Sequence, residues 1–389
     1  MNSYRALAAA FILVAAAACS SNGGGGNDTV TIGFTGPLSG GAALYGRNVL
    51  DGLEMAAADI NDAGGVSVAG KHVTLAIVPL DDRYFPNESA TNAKRLVHQN
   101  HAPIVFCPHS GGILAIQGFN ASEPAFIVGA YSSEPQILES GNPLTLMIPP
   151  KYPIYFDAFA QTMIDSKGKR LGRIPGAHAY AKQWTKGFSA VWESKGGTVL
   201  TNNEIDYNTT TDFSSVASKA LSEKPDVLFV GGPSQATALV IKAAREQGFK
   251  GGFVVMDQAK FEEMNKLVPM EMLENSVGVM PTIHHPDFRA ARFVEKYHQK
   301  KGANRDPPRE VSLTYGALRV LARAMELAGS ATDARAIHAK ADEAARTLPD
   351  EFKPSELLGV DAKGHLIQTT VAAHVVGGKF VPLYLKRNE

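Results

Sequence analysis

The chain has 389 residues, long enough for two lobes of ordinary domain size, each with its own core. Its 38 Lys and Arg balance its 38 Asp and Glu without any long basic block, so a polyanionic partner such as nucleic acid has no electrostatic support. Two cysteines, Cys19 and Cys107, are too few for a disulfide framework or a spaced metal-ligand motif.

The amino-terminal segment reads as an export signal rather than as part of a fold. Residues 6–18 are an unbroken apolar run, too short to span a bilayer comfortably and right for a signal-peptide core. The run ends in Ala16-Ala17-Ala18-Cys19, followed by Ser20, Ser21, Asn22 and four glycines. Small residues before a cysteine, then a polar tether, resemble the bacterial lipoprotein signal, in which Cys19 becomes the lipidated first mature residue. Ala16 stands where that signal most often has leucine, and a plain secretory cleavage site is the alternative. Either implies export. By composition, 20–27 is a flexible linker.

A strand is predicted at 29–34, breaking at the small-residue turn 35–41. A helix follows at 45–60, with Leu50, Leu53, Ala57 and Ile60 at helical spacing, and stops at Gly64-Gly65. Next come a strand at 72–79, a helix at 88–100, a strand at 102–106, a helix from Ile113 and a strand at 124–128. This is βαβ organisation, and the apolar runs are those of a parallel sheet covered on both faces. Cys107 closes the third run and reads as a core thiol in preference to a reactive one.

The pattern breaks near 146–150 and a second α/β series begins. Helices are predicted at 155–167, 181–195, 213–222 and 237–247, with strands at 170–174, 198–205, 227–230 and 252–256. Further helices at 288–300, 313–327 and 334–345 precede two antiparallel-looking strands, 366–375 and 380–383, around Val376-Gly377-Gly378.

From Thr31 onward the chain resembles the leucine/isoleucine/valine-binding family of ABC-importer receptors. The signs are Ile32-Gly33-Phe34-Thr35-Gly36-Pro37-Leu38-Ser39-Gly40, Tyr45-Gly46, Gly52, Ala56 and the stretch Asp59-Ile60-Asn61-Asp62-Ala63-Gly64-Gly65. Asp81-Asp82, Asp212-Phe213 and Gly378-Lys379-Phe380-Val381-Pro382 belong to the same ordered series. The resemblance implies the type I periplasmic-binding-protein fold: two doubly wound parallel-sheet lobes joined by crossover strands, with ligand in the cleft between them. It assigns 28–148 with 281–361 to the first lobe and 149–280 with 362–389 to the second.

The resemblance also places ligand contacts. Ser110 and Gly111 follow the third strand, where a hydroxyl and free N–H groups at a helix start suit a carboxylate; a serine capping only its own helix is the plain alternative. Ala130, Tyr131, Ser132 and Ser133 stand where the family uses a backbone carbonyl and a hydroxyl for the ligand's α-groups. Tyr45 stands where the family touches the ligand side chain, or packs as an ordinary tyrosine. Asp257, with Gln258, lies near the family's ammonium-neutralising glutamate; a desolvated carboxylate there favours an aminated ligand. His178 and Tyr180 depart locally from the family pattern but hold the place of its second-lobe aromatic. Gly232 shapes the opposite wall, and Pro233 beside it lacks a backbone donor.

An enzyme needs a positioned nucleophile and base, a metal set or a cofactor loop. The sequence has no Gly-x-Ser-x-Gly elbow, Walker loop or Gly-x-Gly-x-x-Gly after the first strand, and Ser39 and Ser110 show no histidine–carboxylate system, although His109 adjoins Ser110. The adjacent His284-His285 have no spaced partner set for a metal. The resemblance therefore implies a non-enzymatic, cofactor-free, metal-free monomer, exported and lipid-anchored, that delivers an amino acid or similar molecule to inner-membrane permease subunits. Receptors for a small, possibly aromatic, carboxylate or amide, and ligand sensors for a membrane kinase, are the alternatives.

Overall fold

The computed structural model describes residues 28–207 and 209–385; Cys19, the apolar run before it and the linker 20–27 lie outside the described residues. The first sheet contains β1 (Asp28–Gly36), β2 (Val66–Val68), β3 (Lys71–Asp81), β4 (Ile104–Cys107), β5 (Ile127–Ala130) and β6 (Thr145–Met147). Their order is β2-β3-β1-β4-β5-β6, parallel throughout except for the β2–β3 edge. The second sheet contains β7 (Arg170–Pro175), β8 (Thr198–Asn202), β9 (Val227–Gly231), β10 (Gly252–Val255) and β11 (Ser276–Val279). Two short strands, β12 (Leu357–Val360) and β13 (Leu366–Gln368), then pair with each other, and β14 (Val371–Val376) and β15 (Lys379–Tyr384) add an antiparallel edge to the second sheet. The resulting order is β15-β14-β11-β10-β9-β7-β8.

Alternate residues of each central strand enter different cores, because successive side chains leave a strand on opposite faces. Ile104 and Phe106 pack with Leu53, Leu318 and Leu321, while Val105 and Cys107 pack with Leu96, Ile113 and Ile116. In the second sheet Leu228 and Val230 join Ile241 and Phe253, whereas Val227 and Phe229 join Phe159, Trp184 and Phe188. This two-sided burial explains the near-continuous apolar runs. It is the type I periplasmic-binding α/β fold.

Two glycines of the opening motif are fixed by close approach. A Cβ on Gly46 would lie 1.9 Å from the Pro37 carbonyl oxygen, so the helix Ala43–Asp62 can begin against the turn after β1 only with glycine there. A Cβ on Gly52 would lie 2.2 Å from Thr314 Oγ1 and 2.4 Å from the Val311 oxygen, which lets the helix Arg309–Ala328 pack backbone-close. The chain passes between lobes three times. Ile148 packs in the first core and Tyr152 in the second, Met280 in the second and Phe293 in the first, Leu366 in the first and Val371 in the second.

Several elements differ from the sequence expectation. The strand expected at 366–375 is two strands: Leu366 is tied to β12 in the first lobe, and β14 belongs to the second sheet. The helix expected at 334–345 is two, Ala334–Ala339 and Ala341–Thr347, meeting at Lys340. The short strands β2, β6, β11 and β12 carry no readable period at three or four residues each. No helix among the described residues is long and apolar enough to cross a membrane.

Candidate functional site

The carboxyl ends of both sheets face one cleft, as expected where strand order reverses in doubly wound sheets. The loops after β4, β5, β7 and β10 enclose a cavity of about 240 Å³. Ten of the residues singled out from sequence line it: Tyr45, Ser110, Gly111, Tyr131, Ser132, Ser133, His178, Tyr180, Asp257 and Gln258. Two do not. Ala130 is fully buried within β5, and its carbonyl accepts from the Ile148 N–H. Gly232 lies against Tyr207, whose ring a Cβ there would meet at 2.3 Å.

The first wall is built on a buried carboxylate. Asp82 accepts from the Ser89 hydroxyl at 2.7 Å, the Thr35 hydroxyl at 3.3 Å and the Tyr84 backbone N–H at 2.9 Å, and His109 Nε2 lies 3.0 Å away. His109 Nδ1 accepts from the Gly112 N–H, which leaves the ring proton on Nε2 to serve Asp82. His109 thereby caps the helix Ser110–Gln117, the role that sequence reading offered to Ser110. Freed from capping, the Ser110 hydroxyl lies 2.8 Å from that of Ser132. Tyr84, at φ 69° beside Arg83 at φ 52°, stacks its ring on His109 at 4.6 Å and forms part of the lining.

Tyr45 spans the same wall. Its hydroxyl donates to the Pro108 carbonyl at 2.5 Å and lies 3.2 Å from that of Tyr131, and burial pushes the phenol well above its ordinary value. These bonds fix the ring's position while its face stays against the cavity.

Asp257 is the meeting point of the lobes. Ser133 from the first lobe donates to Oδ2 at 2.5 Å, and Tyr180 from the second donates to Oδ1 at 2.5 Å. Burial and the Asp257 charge push the Tyr180 phenol well above its ordinary value, so it keeps its proton and remains a donor. Behind it, Tyr152 packs edge-on to Tyr180 and leads to the buried Trp184. His178 caps the helix Ala179–Ser194 through Nδ1, and burial holds its imidazole below the ordinary value, hence neutral.

Lys260 is a site residue that sequence reading missed. It is almost fully buried, donates to the Asp257 carbonyl at 2.6 Å and pairs across the lobes with Glu310 at 2.7 Å. Burial alone would lower its pKa, but the Glu310 charge and hydrogen bond raise it, so the ammonium is retained. No spacing rule connects positions fifty apart, so sequence carried no signal for this pair. Tyr84, Pro86, His109, Pro149 and Ala179 also line the cavity unannounced. For Tyr84 and His109 the clue was their closeness to Asp81-Asp82 and Ser110.

The histidine–carboxylate pair beside Ser110 exists in space but serves structure. Both His109 nitrogens are committed, so neither is left to take a proton from a serine. Cys107 brings a third potential ligating atom near Asp82 and His109; burial pushes its thiol well above the ordinary range, and Asp82 and His109 are already hydrogen-bonded within the chain.

Two lobes closing carboxyl-end to carboxyl-end on a polar, aromatic-walled cleft define a solute-binding protein. The periplasmic binding protein family model matches residues 29–379, and the chain belongs to that family, whose members are non-catalytic, extracytoplasmic solute-binding proteins. It is 25% identical over 312 residues to the Leu/Ile/Val-binding protein BraC3 of Rhizobium johnstonii, covering 79% of this chain and 82% of that relative. It is 23% identical to the leucine-, isoleucine-, valine-, threonine- and alanine-binding protein of Pseudomonas aeruginosa over 87% of each chain. Among solved structures, a leucine-binding protein from Thermotoga maritima superposes with a TM-score of 0.75 at 24% identity, over 92% of this chain and 99% of the other. An ABC-transporter solute-binding protein from R. palustris in complex with benzoate gives 0.77 at 17% identity, over 92% and 96%.

Proposed function

We propose that this protein is the receptor of an ABC importer, closing its lobes around an amino acid or amino-acid-like molecule and delivering it to membrane permease subunits. The observation that carries the reading is Asp257, reached from both lobes by Ser133 and Tyr180 at the centre of the cleft. The nearby ammonium, Lys260, is committed to Glu310, so the ligand position keeps the negative charge of Asp257 and favours a cationic α-amino group. At the other end, the Ser110 and Ser132 hydroxyls and the first N–H groups of the helix Ser110–Gln117 suit a carboxylate. Tyr45, Tyr84 and Tyr131 supply aromatic walls for the side chain. Closure is a population shift, because a ligand touching both lobes favours the state in which both contacts exist. The crossings near 148–155, 280–287 and 369–370 are the hinges, Cys19 carries a lipid anchor, and the working unit is a monomer.

One observation favours a second reading. Both Asp257 oxygens already have hydroxyl donors, so a deaminated carboxylic acid or an amide fits without an ammonium. Thermal melting of the soluble chain, begun after Cys19, against amino acids and their matched deaminated acids separates the readings. A ligand at a hundred times its Kd stabilises by about 2.7 kcal/mol. Stabilisation by amino acids alone supports the first reading; stabilisation by the acids alone supports the second; stabilisation by neither class refutes both.

A further inference from the structure

A second cavity, of about 380 Å³, lies in the first lobe at the end of the sheet remote from the cleft. Val66 lines it and pairs with Val73, the residue also opposite Asp28 at the start of β1. The cleft end of the same strands is at Gly36 and Asp81, about 26 Å away at 3.3 Å per residue.

Arg319 projects into this cavity from the helix Arg309–Ala328. It is 8% exposed, and its guanidinium makes no hydrogen bond among the described residues. Its one direct partner is Phe352, with Cζ 3.7 Å from the ring centroid, and that ring also lines the cavity. At that separation the guanidinium lies on the ring face, which occupies none of its in-plane donors. The neighbouring carboxylates are engaged elsewhere. Asp59 is held by Tyr315, Lys296 and Lys300, and Glu326 by Arg323. The remaining acid facing Arg319 is the exposed Glu351, which makes no hydrogen bond to it. The paired Arg323 and Glu326 and the side chain of Thr347 line one part of the cavity, and Ile60, Val66, Ala322 and Leu348 give it an apolar wall beside Phe352.

Arg319 is buried as a residue, but none of its nitrogens is enclosed without a partner, so its unused donors open onto the cavity, where they suit an anionic acceptor, and the apolar part of the walls suits an apolar body. We propose that this cavity is a second binding site, separate from the interlobe cleft, for a small organic carboxylate with a short apolar body. The carboxylate is held by Arg319 over Phe352, and the body lies against Ile60, Val66 and Leu348.

The test is an amide-resolved NMR titration of the whole soluble chain with isovalerate, inorganic phosphate and isoamyl alcohol as probes. Isovalerate is expected to give saturable shifts at Val66, Ala322 and Leu348, separate from any at the cleft residues Ser132 and Asp257. Phosphate, lacking the apolar body, and the alcohol, lacking the charge, are expected to bind about tenfold more weakly or worse. Arg319→Gln is expected to remove the isovalerate shifts at this pole and leave the cleft unaffected. Ala63→Phe, placed at the rim, is expected to block them while leaving the guanidinium intact, and serves if the Arg319 variant misfolds. The proposal is overturned by non-saturating isovalerate shifts, by equal shifts in both variants, or by phosphate binding as tightly as isovalerate. Isovalerate binding seen only in Glu351→Gln also overturns it, since Arg319 would then be paired within the chain.

Discussion

Glu262 offers a pH experiment whose size follows from the structure. It sits in the helix Phe261–Met264 at the seam between lobes, and both its carboxylate oxygens are enclosed without a hydrogen-bond partner. Its acidic neighbours are occupied: Glu263 accepts from Asn48 and Ser234, and Glu310 pairs with Lys260. Burial, reinforced by the charges of Glu263 and Glu310, pushes Glu262 up to about 8 from an ordinary 4.5. A carboxyl whose folded pKa is raised contributes stability that is fully present below the unfolded value and is lost as pH rises through the folded one. Across the window from 4.5 to about 8, at about 1.4 kcal/mol per pH unit, the loss is at most about 5 kcal/mol. Glu262→Gln keeps the shape of the protonated acid and removes the titration. Denaturant unfolding of both proteins from about pH 5 to about pH 8 should show near-equal stability at the acid end and a variant several kcal/mol more stable at the alkaline end. Titrations of groups remote from Glu262 cancel in the difference between the two proteins, whereas Glu263, Glu310 and Lys260 are coupled to it and contribute to the difference. Parallel profiles would refute the claim that Glu262 is enclosed as a neutral acid.

Three further substitutions test the cleft and the packing around it. Lys260→Met leaves Glu310 buried without its cation and is expected to destabilise the protein by about 3–5 kcal/mol in denaturant unfolding, with most of that cost recovered in a Lys260→Met, Glu310→Gln double variant. Tyr180→Phe removes a donor to Asp257 at constant ring area and is expected to weaken ligand binding by about 1.5–3 kcal/mol, read as the Kd from quenching of Trp184 and Trp192 fluorescence. Gly52→Val forces atoms into the Val311 carbonyl and Thr314 and is expected to cost about 1–3 kcal/mol or more, read as a lowered unfolding midpoint at unchanged denaturant slope.

The fold was legible where physics acts locally. The buried runs 104–106 and 227–230 mark central strands because both faces are covered, and Gly64-Gly65 stops a helix through positive φ at both residues. The motif glycines 46 and 52 were visible as residues, but their reason, backbone contact with Pro37 and Val311, exists only in three dimensions. The twelve candidate contacts came from the family resemblance, and ten of them line the cavity, where the loops after the strands of a doubly wound sheet converge. What sequence could not carry was the division of labour inside those loops. His109 caps a helix that Ser110 begins, Ala130 gives its carbonyl to Ile148, and Lys260 finds Glu310 across the seam. Each of these depends on which competing partner lies nearer in space. The break at Thr369-Thr370 was hidden because apolar residues continue on both sides of it, although they enter different lobes.

The central claim is that the cleft holds its ligand through Asp257. Calorimetric titration of the ligand-stripped soluble chain and of its Asp257→Ala variant, against leucine, phenylalanine and their deaminated counterparts, tests it most directly. Binding of the amino acids but not the deaminated acids, lost in the variant, is the result this account predicts. Equal or tighter binding of the deaminated acids, unchanged by the substitution, would contradict it.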